Sequence, residues 1–384
     1  GVKIADYVYD KEFTEKINPV IDVMSLMFGI DTLKASIVNK GNVLIKQKAE
    51  KTTIEGTMVA LENETGYIDA LVGGSKYDSE NQFIRAVQSK LQPGSCFKPL
   101  YYSAAIDSRQ FTMTTVISDT PTVFQNADGT PYYIENFKGE YVGDVQLWNA
   151  LAHSMNIPSI KVLSGIGFQT AIDRASKLLG IPESQFNERH LLPGYTIGLG
   201  TASVRPIELC RAFSIFANGG KEVTPMAIRS VEDRNGNVVL NPEKEIRLEQ
   251  QAKGDAIQVI SPQTAFIMDK ILTKTVESGT LAYGAGYAST YYLTGEKHTP
   301  FNESKFKYTD KNGKSFTMPA AGKTGTTQNW ADAWTTGFTP YYTASFWFGF
   351  DKTVNNNQVF STVKNISGLD NIDIIFDDFL NRNI

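Results

Sequence analysis

The chain reads as an α+β protein, with strand patterning near both ends and helices between, and three observations carry that reading. Thr57–Leu61 and Tyr67–Val72 flank Asn63-Glu64-Thr65-Gly66 as two arms of a hairpin around a Gly-containing turn. Ala331–Phe338 and Tyr342–Phe350 are rich in aromatics and threonine, the residues that suit a pleated surface. The stretches 95–180, 205–217 and 262–277 read as helices with loops. Strands so distant in sequence share one sheet only when the middle of the chain folds over it. That is α+β or three-layer packing, not a parallel βαβ array.

The remaining elements follow in chain order. Phe13, Ile17, Val20, Ile21, Met24, Met27 and Phe28 recur at helical spacing and predict one helix, with Pro19 working against its first half. Residues 1–50 carry no nameable chemistry and read as an N-terminal linker or accessory segment, with the main domain over 51–384. Pro93-Gly94 forms a turn that delivers the chain into a buried helix over Leu100–Ile106. Pro99 lacks an N–H and disfavours the helical region at Lys98, so the first turn should be tight or irregular. Val145–His153 reads as helical. Gly219-Gly220 closes the 205–217 helix, and Asn235-Gly236 tips a second hairpin over Val231–Val239.

Composition excludes several classes. The chain has 384 residues and a formal charge of −4, which argues against a general nucleic-acid surface. Cys96 and Cys210 are the only cysteines; with three scattered histidines they supply neither a disulfide framework nor a metal cluster, and no metal or cofactor is called for. No apolar run approaches 18 residues. Gly1 as first residue points to a piece cut from a longer chain, so the lack of an anchor segment here says little about the parent.

Three strings carry the chemistry: Ser95-Cys96-Phe97-Lys98, Ser154-Met155-Asn156 and Lys323-Thr324-Gly325. Each is weak alone. Ser304 and Ser361 also open S-x-x-K strings, and Ser79-Glu80-Asn81 is also S-x-N, but order and flanks favour the first set. A serine hydroxyl becomes a nucleophile only when a base takes its proton. With Ser95 opening a helix, Lys98 lies one turn on and on the same face. Desolvation and a second cation, Lys323, would lower its pKa enough for it to act as that base. Cys96 reads as a small buried thiol. Ser154 can pass a proton toward a leaving amine, and the Asn156 amide can bond a substrate carbonyl and a lysine together. Lys323 offers a point charge to a carboxylate, Thr324 and Thr326 offer hydroxyls, and Gly325 would let a substrate backbone approach. The N–H groups of Ser95 and Thr326 are candidates for an oxyanion hole.

The flanks extend the pattern. Gln92-Pro93-Gly94-Ser95, Asn136-Phe137, Ala150-Leu151, Ile197–Thr201, Phe216–Gly220, Ser278-Gly279-Thr280 and Ala321–Thr327 with Asp332, Trp334 and Gly337 occur together. Over most of 55–355 the chain resembles the transpeptidase domain of class A penicillin-binding proteins. The resemblance implies a five-stranded antiparallel sheet flanked by helices, beside an all-helical lobe carrying Ser154. It also implies acylation of Ser95 by peptidoglycan stem peptides ending in D-Ala-D-Ala, transfer to an amine of a neighbouring stem, and β-lactam antibiotics as covalent ligands. It places the domain outside the cytoplasm, in a parent that carries a glycosyltransferase domain and a membrane anchor.

Leu91 stands where that family usually has Arg, Trp148 where a basic or polar residue is common, and the stretch between Thr280 and Pro319 is longer than the family pattern. The last is expected to be a loop at the cleft that contacts glycan or peptide, or a plain surface insertion. Two rival readings stay open. A serine β-lactamase shares the three strings and needs a group that activates water, for which Glu183-Ser184-Gln185-Phe186-Asn187 is the candidate. Against it stand the long interval from Ser154 to Lys323 and Pro182, which makes Glu183 an exposed acid at a helix start. A β-lactam-acylated sensor domain would keep Ser95 and Lys98 without turnover.

Overall fold

The structure, a computed structural model, describes residues 55–77, 82–281, 307–309, 312–327 and 332–349. Chain contacts separate two compact units; the fold below is that of the unit containing Gly56–Gly349. The expected helix over residues 13–28, the boundary near residue 50, the decoy strings at Ser79, Ser304 and Ser361, and most of the 283–315 stretch lie outside the described residues.

One five-stranded antiparallel sheet organises this unit. Its strands are β1 (Glu55–Glu62), β2 (Ile68–Val72), β3 (Ala321–Thr326), β4 (Asp332–Phe338) and β5 (Tyr342–Gly349), in the order β3-β4-β5-β1-β2. The sequence-distant ends therefore meet between β5 and β1, as the strand patterning predicts. Gly66 closes the β1–β2 turn at φ +79°; a Cβ there would also lie 2.2 Å from the Thr224 carbonyl oxygen. Most of β4 and β5 is buried on both faces, which is why neither shows a polar–apolar alternation. Thr336 and Ser345, directly opposite in register and fully buried, satisfy each other by a hydroxyl–hydroxyl bond of 2.9 Å.

Six helices matter to the site: α1 (Lys98–Asp107), α2 (Leu147–Ala152), α3 (Asn156–Ile166), α4 (Phe168–Leu179), α5 (Pro206–Ala217) and α6 (Pro262–Glu277). Helix α5 packs on β5 and α6 on β3, while α3, α4 and α6 surround α1. Lys98 through Ile106 are all buried, the signature of a helix enclosed on every side. Ser261 caps α6 by accepting from the Thr264 N–H at 3.1 Å, with Pro262 in the first turn. Gly219 and Gly220, at φ +60° and +86°, end α5 as expected.

The middle of the chain is less helical than its sequence reads. Val116–Asp119 pairs with Gly143–Gln146, and Val123–Gln125 with Pro131–Tyr133. The helix expected from Val145 therefore begins at Leu147. Strands of three or four residues are too short for a period of two to register in sequence.

Candidate active site

Ser95 lies in a tight 3-10 turn, Gly94–Phe97, that runs directly into α1. The turn is tight, as expected, but Lys98 itself is helical (φ −52°, ψ −47°): Pro99 falls in the first turn of α1, where its missing N–H breaks no helix bond. Glycines seat this turn against β3: a Cβ on Gly325 would lie 2.2 Å from the Pro93 carbonyl oxygen, and one on Gly94, at φ +54°, 2.5 Å from that of Thr326. Trp334, buried on β4, donates its indole N–H to the Gln92 carbonyl at 2.8 Å, and Leu91 exchanges backbone bonds of 2.9 Å with Val204. The segment before Ser95 is thus held from both sides. Ser95 itself is half-buried.

Lys98 is fully buried. Its Nζ donates to the carbonyls of Ser154 at 2.8 Å and Met155 at 3.2 Å, and to Asn156 Oδ1 at 2.8 Å. Burial, followed by the positive charge of Lys323, pulls its pKa well below the ordinary lysine value. The structure therefore joins Lys98 to the Ser154–Asn156 loop by hydrogen bonds, with Ser95 one turn before it.

Ser154 adopts φ +59°, a left-handed conformation uncommon for a residue with a side chain. Its N–H bonds the Leu151 carbonyl at 3.0 Å, and its own carbonyl accepts from Lys98. Such local strain persists where surrounding contacts over-determine it. Asn156 is the first residue of α3, so the expected loop after α2 is only three residues long. Asn136 holds that helix start, its Oδ1 accepting from the N–H of Asn156 at 2.9 Å and of Ile157 at 3.1 Å.

On β3, Lys323 is fully buried and donates from Nζ to the Thr324 carbonyl at 2.9 Å. Cys96, buried as anticipated, donates its thiol to the Lys323 carbonyl at 3.1 Å. Thr324 donates to the Thr280 hydroxyl at 2.7 Å, whereas Thr326 remains half-buried. Gly325 admits the turn carrying Ser95; the close approach expected of it is made by the protein's own backbone. Beyond the strand, Asp332 accepts from Thr327 Oγ1 and Trp347 Nε1, each at 2.9 Å, and burial raises its pKa. These bonds fix where β3 ends.

The structure thus gathers Ser95, Lys98, Ser154, Asn156 and the strand Lys323–Thr326 around the start of α1. Among the described residues, however, neither the Ser95 nor the Ser154 hydroxyl is hydrogen-bonded to Lys98, whose bond to Ser154 is to the carbonyl. Glu183 is exposed in the turn Glu183–Gln185, and among the described residues no hydrogen bond or ion pair joins it to Ser95, Lys98 or Ser154.

A family model for the penicillin binding protein transpeptidase domain matches residues 56–369. The chain belongs to that family. Penicillin-binding protein 1A of Neisseria meningitidis is 32% identical over 312 residues, covering 81% of this chain and 34% of the relative. That of Pseudomonas aeruginosa is 30% identical over 351 residues, covering 83% and 40%. The chain therefore spans well under half the length of these relatives. Among solved structures, penicillin-binding protein 1A from Haemophilus influenzae aligns with a TM-score of 0.60 at 24% identity, over 82% of this chain and 48% of that one. PonA1 from Mycobacterium tuberculosis in complex with penicillin V aligns at 0.56 and 20%, over 91% and 90%. These two likenesses establish the fold.

Sequence reasoning missed three contributors. Asn136 and Thr280 stand in the flanking strings that carry the resemblance, yet nothing local indicates what they bond. Asp119, which accepts from Asn136 Nδ2 at 2.6 Å and from the Val142 N–H at 3.1 Å, had no local signal, since those partners lie 17 and 23 residues away.

Proposed function

We propose that this chain is a D,D-transpeptidase domain that cross-links peptidoglycan stem peptides through an acyl-serine on Ser95. Ser95 Oγ attacks the carbonyl of the penultimate D-Ala, its proton passing to the neutral amine of Lys98. The C–N bond to the terminal D-Ala breaks, and that amine leaves with a proton relayed through Ser154. An amine of a neighbouring stem then attacks the acyl-serine, forming the new amide and returning the proton to Ser95.

The observation that carries this reading is the environment of Lys98. A lysine with no exposure, three oxygen neighbours and a second buried lysine nearby is poised to exchange its proton. A neutral amine keeps two N–H donors for these acceptors and gains a lone pair that can take the Ser95 proton. Lys323 and the threonine hydroxyls of Thr324 and Thr326 clamp the substrate carboxylate. The N–H of Ser95, in a first turn where a helix leaves its donors unpaired, joins that of Thr326 in stabilising the tetrahedral oxyanion.

A β-lactam acylates the same hydroxyl, but its leaving nitrogen stays tethered in the opened ring, so the adduct persists. The exposure of Glu183 speaks against a water-activating carboxylate and hence against a β-lactamase. In this reading the domain works outside the cytoplasm, in a parent with a membrane anchor and a glycosyltransferase domain, and residues 1–50 are a linker preceding it. Incubation with a stem peptide ending in D-Ala-D-Ala and an acceptor amine tests the proposal. Release of D-Ala with amide formation supports it, and neither product after clean acylation by penicillin would favour a sensor.

A further inference from the structure

The Ser154–Asn156 loop is anchored by one upstream segment that the proposed mechanism does not use. Asn136 Oδ1 accepts from two N–H groups at the start of α3, while Nδ2 donates to Asp119 Oδ1 at 2.6 Å and to the Glu140 carbonyl at 3.0 Å. All four bonding directions of that amide are occupied. Asp119 is 1% exposed, and its other oxygen accepts from the Val142 N–H at 3.1 Å. Among the described residues it has no ion pair, so hydrogen-bond donors alone offset the cost of burying a carboxylate. Next to Asn136, the Glu135 carbonyl accepts from Asn156 Nδ2 at 2.9 Å. Fixing the nitrogen end of that amide turns its oxygen toward Lys98.

The arrangement replaces a local cap. Met155, which precedes α3, has no side-chain acceptor, so the helix start depends on a residue twenty positions upstream. All three acceptors of Lys98 lie within this loop and first helical residue. Resting on the acyl-serine reading, we propose that Asn136, clamped by Asp119, is a positioning residue for acylation: it sets the Ser154 and Met155 carbonyls and the Asn156 amide that hold Lys98. A displacement of about 1 Å at such a group can cost about a hundredfold in rate without any contact to substrate.

The test exchanges the two side chains in the full chain and follows penicillin acylation at saturation by intact mass. Asn136→Asp removes the donor and sets a carboxylate against Asp119, and acylation should slow by about 10–100-fold with penicillin affinity little changed. Adding Asp119→Asn restores the pair in reverse, since the amide introduced at position 119 can donate to the carboxylate at position 136 and still accept from Val142. The double variant should recover to within about fivefold of the original chain, the deficit being the lost bond to Glu140. A role confined to stability would lower the melting temperature and leave the rate of the folded protein unmoved.

A folded Asn136→Asp that acylates at the original rate, or a double variant no faster than it, overturns the proposal. If the single variant does not fold, the double variant decides: it must fold and acylate within about fivefold, and failure of either overturns the proposal. Absence of acylation at Ser95 in the unaltered chain would instead remove the underlying functional reading.

Discussion

Asn156 Oδ1 accepts from Lys98 Nζ at 2.8 Å, tying the first residue of one helix to the first residue of another. Neither side chain is near the other in sequence, and both are fixed by backbone that cannot easily move. Lys98 is held by the buried α1, and Asn156 by Asn136 and Glu135. Lys98 Nζ is therefore held in a preset geometry.

Lys98→Arg tests the need for a neutral base. Arginine stays charged in proteins, so penicillin acylation should fall by about 10²–10⁴-fold, the usual worth of a general base, in a chain that remains folded by circular dichroism. Acylation at the original rate would remove Lys98 from the mechanism.

The pH dependence follows from the direction of the Lys98 shift. Acylation needs the neutral amine, so its rate rises with pH through the Lys98 pKa and then levels. That acid limb should lie well below the ordinary lysine value, because burial and Lys323 both lower the pKa. Lys323→Met removes the neighbouring cation, so the Lys98 pKa rises and the limb moves to higher pH. A limb that stays in place would show that the two amines do not communicate, and one that moves to lower pH would contradict the role given to the Lys323 charge.

Gly325→Ala tests the seat of the Ser95 turn. The added Cβ would lie 2.2 Å from the Pro93 carbonyl oxygen and 2.9 Å from Cys96 Sγ. Urea denaturation should show a loss of about 1–3 kcal/mol, the usual cost of overpacking, together with slower acylation. Unchanged stability would mean that the turn and β3 are not packed as described.

Glu183→Gln separates transpeptidase from lactamase. The penicillin adduct should persist equally in both proteins, because Glu183 is exposed and unconnected to the site. Rapid turnover in the original chain that Glu183→Gln abolishes would revive the lactamase reading.

Much of this was legible in the sequence, for identifiable reasons. The β1–β2 hairpin, the glycine-closed α5, α6 over Pro262–Glu277 and the paired C-terminal strands all have periodicity or turn chemistry that shows locally. Ser95 and Lys98 stood out through the order of the three strings and their flanks, since the same spacing recurs at Ser304 and Ser361. What stayed hidden depends on tertiary pairing. The short strands between residues 116 and 146 lack length enough to show a period, and the link from Asp119 through Asn136 to Asn156 exists only once those strands pair. Gly325 was legible as a site of close approach, but not which backbone approaches it.

The most direct measurement is the intact mass of the chain after exposure to penicillin, with peptide mapping of the adduct, for the original protein and for Ser95→Ala. One adduct on Ser95, lost entirely in the alanine variant, is the predicted result. Labelling of a folded Ser95→Ala protein at another residue of the cleft would contradict the account.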